Sequence, residues 1–155
     1  MLAAGAAALA VLIAAATVAA GAADDPESVI KQRREFMKGN GGHMKAIYDA
    51  LQAGTDLSGI PAEAKAIRDN AEKIPTLFPE GTGMDKFPGK TGAKPEIWAE
   101  WDKFTAAAKN LQSEADKFLL VAQSGDKDAI AQAFDAFGKN GCGGCHQTFR
   151  QKLDQ

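Results

Sequence analysis

The chain has 155 residues, 45% of them apolar and 25% charged, with eighteen basic against twenty acidic side chains and a formal net charge of −2. This is the size of one domain, and so even a charge balance offers no electrostatic surplus for holding a polyanion, which argues against a nucleic-acid partner. The two cysteines, Cys142 and Cys145, lie three positions apart and close too short a loop to staple a small fold.

No charge occurs before Asp24, and thirteen of the first 23 residues are alanine. Residues 9–18 (LAVLIAAATV) supply a short apolar run, and Ala20-Gly21-Ala22 the small residues that a signal peptidase reads. Residues 1–23 are therefore expected to be a secretory signal peptide, with the departure that no Lys or Arg follows Met1. A retained anchor competes, because 2–23 is just long enough to span a bilayer. Alanine inserts weakly and the A-x-A pattern fits cleavage, so no stable membrane insertion is expected once the leader is gone. Residues 24–155 then form one domain, ample for a core.

The first helix is expected to begin at Asp24-Asp25-Pro26, acidic residues followed by a proline suited to the first helical position. Ile30, Met37, Met44 and Leu51 are seven apart, with Phe36, Ile47 and Tyr48 at neighbouring stations, a bundle-type stripe. Gly39-Asn40-Gly41-Gly42 interrupts it, costing helix stability but letting a backbone or flat ligand come close. The second helix places Ile60, Ala64, Ile67, Ala71, Ile74 and Phe78 at alternating spacings of four and three, and is ended by Pro75 and Pro79. From Pro79 to Pro95 the Gly- and Pro-rich text has no apolar period and reads as a long surface loop.

The third helix opens at Pro95-Glu96 and runs through Ile97, Trp101, Phe104, Ala108, Leu111, Ala115, Phe118 and Ala122 without a fault, until Ser124-Gly125 stops it. Asp126 caps a fourth, with Ile130, Phe134 and Phe137 on its apolar face. Almost nothing alternates as a strand does. Four amphipathic helices with mostly short connections predict an all-α, antiparallel up-and-down four-helix bundle.

Cys142-Gly143-Gly144-Cys145-His146 is the one strong chemical signal. C-x-x-C-H is the attachment sequence of c-type haem: on a helix the two thiols project from one side, spaced for thioether bonds to the two vinyl groups, and the adjacent histidine offers its imidazole to iron. Structural zinc would need a fourth ligand, with only distant His43 to offer, at a spacing foreign to zinc fingers. A thioredoxin-like pair would need strands. A disulfide across one helical turn would be strained and would leave His146 unexplained. One covalent haem c, with its iron, is the expected cofactor.

A bundle with this motif on its last helix resembles the class II c-type cytochromes, the group of cytochrome c prime and the low-spin cytochrome c-556. The resemblance covers the chain after the leader and rests on IKQRREFMKGNGGHMKAI, on IPTLFPEGTG with FPGKTGAKPEIW, and on GCGGCHQTFRQK. It implies Cys142 and Cys145 as thioether sites, His146 as proximal ligand, Arg33 near the haem on its distal side or at the propionates, and Met37 at the distal position over the iron. It also implies periplasmic export and the option of a homodimer through the first two helices.

Arg33 lies three residues after Ile30 and four before Met37, on the stripe that faces the core. A charge there requires an anionic partner, which a propionate would be, or must snorkel past the apolar face into water. Arg34 and Lys31 read as solvated surface. Met37 is either core filler or an iron ligand; the flexible text after it favours ligation, as does R-x-x-x-M-K followed by G-G-H-M, which resembles the low-spin members of the class. Met/His ligation raises the potential and favours electron transfer. Met44 and, in the loop, Met84 are weaker candidates.

Trp98 and Trp101 read as core, His43 as an exposed polar residue, and Arg150 as reaching a propionate or water. No nucleophile–base pair or carboxylate dyad is present, so enzymatic turnover is not expected. The expected function is single-electron carriage in the periplasm between redox partner proteins. The alternative is a five-coordinate haem that binds nitric oxide or carbon monoxide at an open distal site.

Overall fold

The structure, a computed structural model, describes residues 25–54 and 56–153; the expected signal peptide lies outside the described residues. Helix α1 spans Pro26–Ala53, α2 Ile60–Ala71, α3 Glu96–Ala99, α4 Trp101–Ala122, α5 Lys127–Phe137 and α6 Gly144–Phe149. A 3₁₀ turn, Ile74–Leu77, follows α2, and a π-helical segment, Gly138–Gly143, joins α5 to α6. Four rods result: α1, α2, α3 with α4, and α5 through α6. Among the described residues there is no strand, only an isolated antiparallel bridge between Ala93 and Arg150. No described helix is long and apolar enough to cross a membrane.

The caps follow the sequence cues. Asp25 accepts from the Ser28 N–H at 3.0 Å to open α1, which ends on Gly54 in the left-handed conformation (φ 66°). Asp126 accepts from the N–H groups of Asp128 and Ala129 to open α5.

The alternating three-four stripes become the core. Ile47, Ile60, Ala64, Ile67, Ile97, Phe104, Ala115, Phe118, Ile130 and Phe137 are all essentially inaccessible. Phe118 lies parallel to Phe137 with centroids 5.3 Å apart, and Phe104 meets Phe78 and Phe149 edge-on at 4.8 and 5.4 Å. The rods pack in ring order: α1 on α2, α2 on α4, and α4 on α5 and the π segment. Polar ties mark the seams, with Asn70 Nδ2 donating to Asn40 Oδ1 at 2.9 Å, the Glu63 carboxylate accepting from His43 Nδ1 at 2.6 Å, and Arg68 Nε donating to Asp116 at 3.2 Å.

Several expectations need correction. The glycine run does not interrupt α1, which is continuous across Gly39-Asn40-Gly41-Gly42; a Cβ at Gly39, Gly41 or Gly42 would meet no protein atom within 4 Å. The second helix stops at Ala71, and Ile74 and Phe78 are buried from the 3₁₀ turn and its edge. The third is broken at Glu100 (φ −125°, ψ 46°) into α3 and α4, and Trp101, just past the break, is 38% exposed instead of core. Tyr48 is 53% exposed, past the edge of the α1 stripe. His43 is half-buried and paired, not a free surface residue. The 79–95 segment is not purely surface, since Thr82, Thr91 and Ala93 are buried.

Candidate functional site

The fourth side of the ring is where α1 faces the rod of α5 and α6. There the side chain of Met44 approaches Gly138, where a Cβ would stand 3.5 Å from Met44 Cε. The two rods run antiparallel, so seven residues back from Met44 is Met37 and seven on from Gly138 is Cys145. Each step is about 10 Å at the α-helical rise of 1.5 Å per residue, and shorter through the π segment Gly138–Gly143. The antiparallel run of the two rods thus carries Met37 and Cys145 toward the same end of this seam.

Cys142 and Cys145 are unpaired, half-buried and packed at the margin of the core, as are Met37 and Met44. The π segment widens the helix where the motif begins, and carries Cys142 itself. Such bulges recur at functional sites because they re-aim the following side chains. Gly141 lets this rod close on α4, since a Cβ there would stand 3.0 Å from Leu111 Cδ1 and 3.3 Å from the Phe137 ring, and Asn110 Nδ2 donates to the Asn140 carbonyl at 2.9 Å. Phe149, buried one turn after Cys145, anchors the far end of α6.

Burial raises both thiols above their ordinary value, Cys145 to about 11 with the neighbouring Cys142 as a lesser cause. Both are therefore neutral at physiological pH. His146 is accessible at its surface yet stands among enough protein that lost hydration, with the charge of Arg150 second, lowers its pKa below the ordinary value. The neutral imidazole, with a free lone pair for a metal, is favoured. Among the described residues no three His, Cys, Asp or Glu side chains converge as a metal set, and His43 is committed to Glu63. The donor set is that of a tethered macrocycle: two neutral thiols three residues apart and an adjacent imidazole, with the half-buried Met37 and Met44 on the facing helix.

Arg33 stands on α1 one turn before Met37, at the end of the seam. It neither snorkels to water nor pairs with a carboxylate of the described residues; it is 3% exposed and donates to Leu77, Thr82 and Thr91 in the connecting segment. Those acceptors carried no local signal, being 44 to 58 residues away. A lone arginine on a core stripe, together with threonines in a Gly- and Pro-rich loop, is the cue that could have suggested them. Met84 sits in that segment, its N–H donating to the Ala93 carbonyl at 2.8 Å. Arg150 is exposed.

A four-helix bundle with C-x-x-C-H on its last rod, beside an apolar seam faced by a methionine, defines a class II c-type cytochrome, which carries one covalently bound haem c. The family described as Cytochrome C' matches residues 28–150, and the chain belongs to that family. It is 35% identical over 127 residues to cytochrome c' of Pararhodospirillum photometricum, covering 81% of this chain and 98% of that one. To cytochrome c-556 of Agrobacterium tumefaciens (strain II Chrys) it is 34% identical over 126 residues, covering 79% and 97%. The crystal structure of cytochrome c' from Thermochromatium tepidum superposes with a TM-score of 0.71 at 26% identity, covering 83% of this chain and 98% of that one. The same fold is seen in a nitric oxide complex of a variant of cytochrome c prime from Alcaligenes xylosoxidans, at TM-score 0.69, 24% identity and coverage of 83% and 98%. Relatives named cytochrome c' and cytochrome c-556 are equally near, so overall similarity does not choose between them.

Proposed function

We propose that the chain is a periplasmic single-electron carrier, not an enzyme, in which His146 and Met37 would be the residues that hold the haem iron. Residues 1–23 act as its signal peptide, and its partners are redox proteins, with a homodimer through α1 and α2 belonging to the same reading. The haem supplies a one-electron change at iron. Cys142 and Cys145, spaced one turn apart, tether it so that it is not lost by dilution after export. His146 gives its neutral imidazole. Met37 would give a soft thioether, a ligand that favours the reduced state and so raises the potential, and would keep small ligands off the iron. The half-buried side chains of Met37 and Met44 keep that side apolar.

The observation that supports this reading is the approach of Met44 to Gly138, from which antiparallel rods would bring Met37 toward the end of the seam that holds the cysteine motif. The competing reading, a five-coordinate haem that takes nitric oxide or carbon monoxide, requires the Met37 sulfur to stay off the iron. Optical spectra of the purified holoprotein separate the two. A low-spin spectrum in both oxidation states that responds slowly to carbon monoxide is expected. A high-spin spectrum that shifts promptly with the gas rejects the carrier and establishes the gas-binding reading.

A further inference from the structure

Arg33 is a buried cation with no carboxylate in ion-pair range among the described residues. Its Nη1 donates to the Leu77 carbonyl at 3.3 Å and to Thr82 Oγ1 at 2.9 Å, and its Nη2 to the Thr82 carbonyl at 2.8 Å and Thr91 Oγ1 at 2.9 Å. The guanidinium also lies 4.5 Å from the centre of the Phe78 ring. Burial lowers its pKa to about 10, so it is still charged at neutral pH. Among the described residues only neutral acceptors meet that charge, an expensive arrangement for a residue that only fills a core.

The segment that receives Arg33 is tied, at its other end, to the residues just after His146. Thr91 Oγ1 also accepts from the Ala93 N–H at 3.1 Å, and Ala93 is the residue bridged to Arg150. Around that bridge Gln151 N–H donates to the Gly92 carbonyl at 2.8 Å and Lys94 N–H to the Phe149 carbonyl at 3.1 Å, while Lys94 Nζ donates to the Thr148 carbonyl at 2.9 Å. A continuous hydrogen-bonded path thus runs from α1, one turn before Met37, to the end of α6, one turn after His146. The exposed pairs Arg34 to the Lys90 carbonyl and Lys90 to Glu27 follow the same join.

We infer that this strap is the spacer of the site: Arg33, Thr82 and Thr91 are positioning residues that hold α1 at the distance from α6 at which the Met37 thioether reaches the iron held by His146. Arg33 and Met37 are four apart on one uninterrupted helix, so a shift of the first carries the second with it. Eleven residues further along α1, about 16 Å away, the Met44 approach to Gly138 is apolar and permits sliding. Directional hydrogen bonds fix position where that contact does not.

The inference rests on Met37 being the sixth ligand, and the experiment distinguishes the two. Holoprotein is prepared as the parent and as Met37→Leu, Thr82→Val with Thr91→Val, and Thr82→Ser with Thr91→Ser. Each is read by its ferric and ferrous spectra, its rate of carbon monoxide binding and its melting temperature. The valine pair keeps the volume but removes two acceptors from a buried cation, each on the order of tenfold in an equilibrium. A high-spin fraction then appears, and carbon monoxide binding rises about tenfold or more toward that of Met37→Leu. Serine restores the hydroxyls and returns both readouts to within about twofold of the parent.

A valine pair that melts earlier but keeps the parental spectrum and gas rate overturns the spacer and leaves Met37 as ligand. A Met37→Leu protein with the parental spectrum removes the ligand assignment, and the spacer with it. If the valine pair does not fold, Arg33→Lys, which keeps the charge and loses the planar fork, is read by the same criteria.

Discussion

Gly92→Ala tests the join between the connecting segment and the C-terminal end. Gly92 has no positive φ, so alanine is permitted by the backbone, and the penalty is steric. An added Cβ would overlap the carbonyl oxygen of Gln151, a backbone atom that cannot turn aside, and the two segments must part by about 1 Å. Two hydrogen bonds span that join, Gln151 N–H to Gly92 O and Lys94 N–H to Phe149 O. At about 1 kcal/mol each their loss costs about 2 kcal/mol. Loosening of the buried Phe149 against Phe104 adds roughly 1 kcal/mol, and the lower entropy of the unfolded alanine chain returns roughly 0.7 kcal/mol.

The net loss of about 2 kcal/mol corresponds to a fall of about 8 °C in melting temperature for a domain of this size. Thermal unfolding of the holoprotein followed by far-ultraviolet circular dichroism measures it. Gly39→Ala is the internal control: Gly39 is exposed within α1 and its added Cβ meets nothing, so the same change should stabilise by roughly 0.5–1 kcal/mol. Equal effects at the two positions, or a Gly92→Ala protein as stable as the parent, would refute the close approach at Gly92.

Phe118→Ala removes the ring between Phe134 and Phe137 and should cost about 3–5 kcal/mol in denaturant unfolding; a loss under about 1 kcal/mol would deny this cluster its place in the core. In the chain without attached haem, burial holds both thiols neutral, so iodoacetamide at pH 8 should alkylate them far more slowly than in the denatured chain, and equal rates would contradict their burial. The sign of the linkage is set by the raised pKa of Cys145: its contribution to stability is full below the ordinary value of 9.0 and is lost as pH rises through about 11. A pH titration of unfolding in Cys145→Ala against the parent chain, both without haem, reads that loss.

The C-x-x-C-H motif was fully legible because its chemistry is local: five consecutive residues bring together thiols and imidazole. The rods were legible because three-four spacing survives changes in helix content, and Ile60 through Phe78 are buried in the predicted pattern even though α2 ends at Ala71. The glycine run misled for the opposite reason. Propensity alone charges about 1 kcal/mol for each glycine, but packing on both sides of the run, with Asn40 bonded to Asn70 and His43 to Glu63, holds the helix through it.

The break at Glu100 was invisible because Ile97 and Phe104 keep their seven-residue spacing and both are buried across it, while Trp101 takes the exposure. Arg33 was legible only as a charge out of place. Its four neutral acceptors had no cue of their own, one coming from Leu77 on the 3₁₀ turn and three from the segment beyond it, which has no periodicity. That segment carries no helix, but it closes the end of the seam and so bears on the site.

The most direct test is a crystal structure of the oxidised holoprotein. It should show thioether bonds at Cys142 and Cys145, the His146 imidazole on one face of the iron and the Met37 sulfur bonded on the other, with Arg33 still joined to Thr82 and Thr91. An iron bound by His146 alone, with the Met37 side chain turned away from it, would contradict the account.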